Sequence, residues 1–311
     1  MKKLLMHGDH TKNQSLGFTL IELVITIVIS SIIAVGTVSY IGRSVEGIAS
    51  ASARNKLATA GRTAIDGLAL ELHNALPNSI RVADITSGGR ECIEFVPVLG
   101  ATTYISPSFG GSNLSSFRVV DFIENALVTI PADANGVFGV IYPRNTARLY
   151  LNGENTPVRS TLHSITSIVD ITNPPSAASI ENLTTINISP AGRYRRRSPK
   201  ERFFVVSQPV SFCVVGDKLY RYSNYGFLEN QTVSELPGGG LPNYTSAPDK
   251  TLITDSINNS AIPADSLPKL AAFTVGNQNL ARNSLVAIQL RIRTGSETVL
   301  LKHEVLSRSV P

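Results

Sequence analysis

The chain has 311 residues, of which 42% are hydrophobic and 16% are charged, and its formal net charge is +5. The ordinary apolar fraction excludes a disordered chain, and the length is enough for one large domain or two small ones. Removing the residues before Phe18, which include three lysines and one aspartate, lowers the net charge to +3. That charge is too weak to indicate nucleic-acid binding by itself.

Residues 18–40 (FTLIELVITIVISSIIAVGTVSY) are apolar and carry a single charge, at Glu22. A helix of this length crosses a bilayer at about 1.5 Å per residue. The lysines before it place the N-terminus in the cytosol and the rest of the chain on the other side. The segment is too long for the apolar core of an ordinary secretory signal. A carboxylate within it is costly in lipid, so Glu22 requires a partner.

Gly17 is followed directly by Phe-Thr-Leu-Ile-Glu-Leu. This pattern resembles the type III signal of type IV prepilins and of type II secretion pseudopilins. The resemblance implies that a prepilin peptidase cleaves between Gly17 and Phe18 and that Phe18 is then N-methylated. It also implies that Glu22 pairs with the terminal amine of a neighbouring subunit during assembly. A plain signal anchor with an accidental Glu22 is the alternative. The leader is longer than in many type IV pilins, and initiation at Met6 would shorten it.

No proline occurs between Phe18 and Pro77, and apolar residues recur at helical spacing as far as Leu76. This pattern predicts one helix over residues 18–76, ended by Pro77, whose second half packs on a sheet. An isolated coiled coil is the alternative, but the apolar face lacks a strict heptad. The predicted division of the chain is a leader (1–17), a transmembrane and assembly helix (18–40), the periplasmic half of the helix (41–77) and a globular periplasmic domain (78–311).

The chain beyond the helix shows strand and turn patterns. Strands are predicted over residues 92–98, 203–206, 210–215 and 218–223, the last two joined by a turn at Gly216-Asp217, and a further hairpin is predicted over residues 286–306. Proline- and glycine-rich segments predict loops over residues 173–200 and 236–268. The predicted fold class is therefore α+β. It is a type IV pilin-like fold in which the long helix packs on an antiparallel sheet with large loop insertions.

Cys92 and Cys213 are the two cysteines, and neither has a metal-binding neighbour at short spacing. In an exported protein an even pair predicts one disulfide. It would close a loop of about 120 residues, for which the chain-entropy model gives about 4–5 kcal/mol of stabilisation. Two unpaired buried thiols are the alternative.

Six further segments carry a closer resemblance: residues 71–82 (ELHNALPNSIRV), 92–95 (CIEF), 202–206 (RFFVV), 209–213 (PVSFC), 219–222 (LYRY) and 303–311 (HEVLSRSVP). They are similar to segments of the large minor pilins of the mannose-sensitive haemagglutinin (MSHA) pilus. Those proteins in turn resemble the J-type minor pseudopilins of type II secretion, which work near the filament tip. The resemblance implies a role in initiating or capping a filament, and a large domain is sterically awkward to repeat at every filament position.

Enzymatic chemistry has little support in the sequence. Zinc-protease, redox, serine-hydrolase and P-loop motifs are all missing, and no cofactor or metal is predicted. His73 lies on the predicted helix and is expected at its surface or at an interface. Asp249 and Asp255 lie in a polar loop and would bind Ca²⁺ only if folded together.

A basic run at Arg193, Arg195, Arg196 and Arg197 encloses Tyr194. The simpler interpretation is a solvated loop. The sharper one is an anionic contact with nucleic acid, polysaccharide or a partner pilin, in which Tyr194 would add base stacking.

The expected partners are other major and minor pilins, prepilin peptidase, the inner-membrane assembly machinery and the inner membrane, with no small-molecule substrate. The expected location is the inner membrane of a Gram-negative bacterium, with one membrane pass and a periplasmic domain, and then the filament. The alternatives are a type II secretion pseudopilin, a tip adhesin or nucleic-acid-binding minor pilin, and a membrane-anchored enzyme.

Overall fold

The computed structural model describes residues 17–85, 90–120, 136–151, 159–170, 183–229, 231, 249–259, 268–276, 284–295 and 297–307. The chain forms two compact units, Met1–Ala53 and Arg54–Pro311. The predicted leader, apart from Gly17, lies outside the described residues, as do residues 308–311 of the last MSHA-like segment.

The predicted long helix is present as α1, Leu20–His73. It begins two residues later than expected and ends three residues earlier. The early end has a backbone cause: the Leu76 amide donates to Val96 O at 2.8 Å, and the Val98 amide donates to Asn74 O at 2.8 Å. These bonds join the chain after His73 to the sheet region, so the helix stops before Pro77.

Two antiparallel sheets carry the core that α1 covers. The five-stranded sheet has the order β1 (Arg81–Ile85), β2 (Arg90–Phe95), β10 (Val210–Val215), β11 (Lys218–Tyr222) and β12 (Lys250–Thr254). The three-stranded sheet has the order β13 (Phe273–Val275), β14 (Ser284–Thr294) and β15 (Glu297–Ser307).

The second half of α1 packs on these sheets, as predicted. Leu68 and Leu72 are fully buried in one cluster with Ile93 and Phe212 of the five-stranded sheet and with Ile288 of the three-stranded sheet. Burying a leucine side chain contributes about 1.5–3 kcal/mol. The apolar face of the helix is therefore the main contact between α1 and the sheets.

The described residues also form a seven-stranded sheet, with the order β3-β9-β5-β7-β8-β4 and β6 beside β8. Its strands are β3 (Val98–Thr103), β4 (Leu114–Val120), β5 (Phe138–Val140), β6 (Arg159–Ser160), β7 (Leu162–Asp170), β8 (Leu183–Tyr194) and β9 (Arg202–Val206). The short helix α2 (Thr146–Leu151) buries Leu149 and Tyr150 in a cluster with strand residues of this sheet. The fold is α+β, as predicted, but the described residues form three sheets where one was expected.

Both predicted loops contain a strand, so those predictions were wrong. In the first, β8 alternates buried Thr184, Ile186 and Ile188 with more exposed residues. This is a period-two pattern that the surrounding prolines and arginines obscured. In the second, β12 pairs with β11. The remaining parts of both segments are mostly outside the described residues.

The predicted hairpins are confirmed. β10 and β11 pair through the turn at Gly216-Asp217, and β14 pairs with β15 from Ser284↔Ser307 to Thr294↔Glu297. Val286, Ile288, Leu290 and Ile292 form the buried face of β14. The predicted strand over residues 92–98 is instead divided between β2 and β3.

Candidate functional site

Gly17, Phe18 and Thr19 precede the first helical residue and are not helical. The Glu22 amide donates to Thr19 O at 3.1 Å and to Thr19 Oγ1 at 3.4 Å, and the Leu23 amide donates to Thr19 O at 3.2 Å. Thr19 therefore caps α1, and Thr-x-x-Glu is the spacing of a capping box. The predicted cleavage position thus lies in non-helical chain directly before a capped helix.

The apolar part of α1 is exposed within its own unit. Phe18 is 80% exposed and Leu20 82% exposed, and none of the most apolar window of the helix is buried. By length and composition α1 can cross a membrane. An apolar surface of this extent requires lipid or other helices around it.

Three hydroxyl groups in this segment are hydrogen-bonded within the helix. Thr26, Ser31 and Thr37 donate to backbone carbonyls three or four residues earlier, at 2.7–2.9 Å. Hydrogen bonds of this kind to the helix backbone offset the energetic cost of placing a hydroxyl group in an apolar environment. Glu22 then stands as the one charged side chain between Phe18 and Tyr40.

The second unit holds its part of α1 by packing and by two ion pairs. Arg221 binds the Glu71 carboxylate through Nε at 2.9 Å and Nη2 at 3.1 Å, and Arg54 pairs with Glu297. Gly61 lies so close to the sheet that a Cβ atom there would be 2.3 Å from side-chain carbons of Ile292 and Leu301. The helix is thus fixed along its length from Arg54 to Glu71.

Residues 12–38 match the family model of the prokaryotic N-terminal methylation motif. The chain carries a type IV prepilin-like methylation motif. The match supports a type IV pilin or pseudopilin, with the general association with pilus components and prepilin peptidase that this motif implies. It also fits a membrane-anchored protein. In searches of curated proteins and of solved structures, nothing matches the chain.

The predicted disulfide is present. Cys92 of β2 and Cys213 of β10 lie directly opposite each other in the five-stranded sheet, with Cα atoms 4.1 Å apart. Both residues are buried with Tyr222 and Tyr225. The cross-link therefore joins two central strands that are far apart in sequence.

The arginines of the basic run make different contacts and do not form one common surface. The Arg193 Nη1 donates to Gly111 O at 3.0 Å, and the Arg197 guanidinium lies 5.3 Å from the centre of the Phe109 ring. Tyr194 is 1% exposed and packs edge-on against Phe117. The suggestion that Tyr194 stacks on bases is therefore wrong, because its ring belongs to the core.

Arg195 and Arg196 lie together at a pocket that two further arginines line, Arg144 and Arg148. The sequence pattern did not indicate this second pair. In the sequence, Arg144 and Arg148 are four residues apart (Arg144-Asn-Thr-Ala-Arg148), which is helical spacing. In the structure, Asn145 Oδ1 accepts a hydrogen bond from the Arg148 amide at 3.0 Å. Such pairs are common on helix surfaces, and nothing in the sequence connects this one to the distant basic run.

Buried titratable groups have structural partners. The carboxylate of Glu94 pairs with Arg81 Nε at 2.6 Å and accepts from the Tyr225 hydroxyl at 3.2 Å. Burial raises the pKa of Glu94, and the Arg81 charge opposes that rise. Burial lowers the pKa of His163, whose Nε2 lies 3.2 Å from Arg193 O. These contacts hold strands together.

Among the described residues, no group of three or more His, Cys, Asp or Glu could hold a metal ion. Asp249 and Asp255 lie at opposite ends of β12, about five residues of extended chain apart. They are therefore not folded together, and the suggested Ca²⁺ pair does not form. His73 is exposed at the end of α1, as expected.

Proposed function

We propose that the chain is a minor pilin of a type IV, MSHA-type pilus, of the MshO kind. In this proposal prepilin peptidase removes residues 1–17, Phe18 is N-methylated, and the protein then enters the filament at or near its tip and helps to initiate assembly. The observation that carries the proposal is the methylation motif over residues 12–38 with its isolated Glu22.

The proposed role of Glu22 follows from the cost of an unpaired charge. Before assembly the apolar half of α1 is surrounded by lipid, and afterwards by the helices of neighbouring subunits, so both states bury its apolar side chains. The Glu22 carboxylate has no cationic partner in its own segment, where it is the single charge. The new Phe18 amine of a neighbouring subunit supplies that partner, and the pair sets the register between subunits.

The MSHA assignment rests on the segments that resemble those minor pilins. In the structure they fall on the framework of the domain, mainly at the end of α1 and in β2, β9, β10, β11 and β15. The size of the domain also favours a position that is used rarely in a filament. Proteins with this N-terminal motif are structural rather than enzymatic, and we propose no enzyme activity.

A J-type minor pseudopilin of type II secretion is the second candidate, because the same motif occurs in that family. Deleting the gene separates the two. Loss of surface pili with intact protein secretion supports the MSHA assignment, whereas loss of secretion with intact pili supports the pseudopilin.

The test of the assembly role is Glu22→Ala in the full chain. We expect the variant to be cleaved to a mature N-terminus at Phe18 but to be largely missing from sheared filaments. N-terminal sequencing measures the cleavage, and immunolabelling of filaments measures incorporation. Glu46→Ala is the matched control, because Glu46 is an exposed carboxylate of the same helix outside the apolar segment.

Two results would contradict the proposal. Incorporation of Glu22→Ala at the level of the Glu46→Ala control would remove the role of the carboxylate. A protein that stays unprocessed in cells containing prepilin peptidase would remove the whole assignment.

A further inference from the structure

A pocket of about 210 Å³ lies in the second unit, beside α2. Arg144, two residues before α2, and Arg148, within α2, line it on one side, and Arg195 and Arg196 line it from the segment after β8. None of the residues that line the pocket has a role in the proposed filament assembly.

Backbone hydrogen bonds bring the two arginine pairs together. The Arg195 amide donates to Ser160 O at 2.9 Å, and the Ile141 amide donates to Thr161 O at 3.2 Å. The segments before α2 and after β8 are therefore both bound to the junction of β6 and β7. Thr161, which is buried, also lines the pocket.

The α2 side of the pocket is also fixed. Thr146 Oγ1 donates to Asn78 O at 3.0 Å, and the Tyr150 hydroxyl donates to Ser79 O at 2.9 Å. Tyr142, which lines the pocket, has a φ of 52°. A tyrosine seldom adopts this left-handed conformation, and surrounding contacts must maintain it.

The charge of the pocket determines what it can bind. The guanidinium groups of all four arginines carry a positive charge at any physiological pH. No Asp or Glu is among the described residues that line the pocket. A pocket lined by four arginines attracts anions. Arginine forks bind phosphate and sulfate oxygens in a bidentate manner.

We propose that this pocket binds one compact tetrahedral oxyanion, a phosphate or sulfate group, either free or carried on a larger molecule. The volume fits such a group and is small compared with the ~300–1,000 Å³ of sites for whole drug-sized ligands. A nucleic-acid strand is disfavoured, because it needs an extended basic groove with exposed aromatic rings. The aromatic ring within the basic run, Tyr194, is buried.

The test is isothermal titration calorimetry of the full-length protein in detergent with inorganic phosphate. The ionic strength is low and is kept constant with sodium chloride. We expect saturable binding to one site. Arg144→Gln and Arg196→Gln should each weaken that binding by about tenfold or more, since each removes a charge-assisted contact. All four guanidinium groups are on exposed residues, so the variants should keep the melting temperature of the parent protein.

Arg197→Gln is the matched control from the same basic run. Its guanidinium lies over Phe109 and does not line the pocket, so phosphate binding should be unchanged. Glycerol phosphate provides the second arm: tighter binding than free phosphate identifies a carried group as the ligand, and equal binding identifies the free ion.

Three results would overturn the proposal. They are no saturable phosphate binding, an equal loss of binding in Arg197→Gln, and binding of an oligonucleotide without binding of phosphate. The experiment requires neither processing nor filament assembly, so its outcome is independent of the proposed function.

Discussion

Gly139 shows how closely individual residues are packed in the seven-stranded sheet. It lies in the middle of β5, where a Cβ atom would be 2.7 Å from Cε2 of Phe203 and 2.8 Å from the Tyr194 hydroxyl. Both rings are fully buried, so displacing them would disturb the packing of their neighbours. We expect Gly139→Ala to lower the free energy of unfolding by about 1–3 kcal/mol, the usual cost of overpacking. Urea unfolding followed by circular dichroism measures this change.

Gly67→Ala is the control, because the same atom is added where nothing lies within 4 Å. Gly67 is on the exposed face of α1, where alanine favours the helix, so stability should rise by up to about 1 kcal/mol. Equal effects of the two substitutions would show that chain entropy, rather than packing, decides the outcome at Gly139.

Residues of the candidate sites differ in how far the sequence could predict them. Glu22 was found because a lone charge in an apolar segment is visible without any structure. Arg144 and Arg148 were missed because their relation to Arg195 and Arg196 depends on long-range strand pairing. The sequence also could not show that Tyr194 is buried, because its arginine neighbours suggest an exposed segment.

At the scale of elements, strong local patterns predicted the structure well. The helix α1, the β10–β11 hairpin and the β14–β15 hairpin each have a clear period or a glycine turn. β8 was missed because its alternating part is short and is followed by Pro190, Gly192 and the basic run. The locations of helix ends and strand breaks depended on tertiary hydrogen bonds, such as that from Leu76 to Val96.

The disulfide between β2 and β10 leads to a prediction for these elements. We expect the double variant Cys92→Ala/Cys213→Ala to lose about 2–5 kcal/mol of unfolding free energy, since the cross-link limits the unfolded chain over a long loop. Urea unfolding under non-reducing conditions measures the loss. The parent protein, unfolded with its disulfide reduced, should show a similar loss, and an unchanged midpoint in both cases would contradict the prediction.

At the scale of the whole molecule, the sequence predicted an N-terminal apolar helix followed by an α+β domain. It did not predict the number of sheets. The five-stranded sheet pairs β2 with β10, whose disulfide partners are 121 residues apart, and the seven-stranded sheet pairs β3 with β9. Periodicity within a segment carries no information about such distant partners. The N-terminal motif is local and could therefore be recognised directly.

The disulfide also tests the side of the membrane on which the domain lies. If the domain is periplasmic, as the lysines before Phe18 predict, the thiols of Cys92 and Cys213 should be oxidised in cells and should react with a maleimide reagent only after reduction. In cells that lack the periplasmic thiol oxidase, the same thiols should react without reduction. The double alanine variant gives the background of the assay. Reactive thiols in cells with an intact oxidase would place the domain in the reducing cytosol, which would contradict both the proposed orientation and assembly into an external filament.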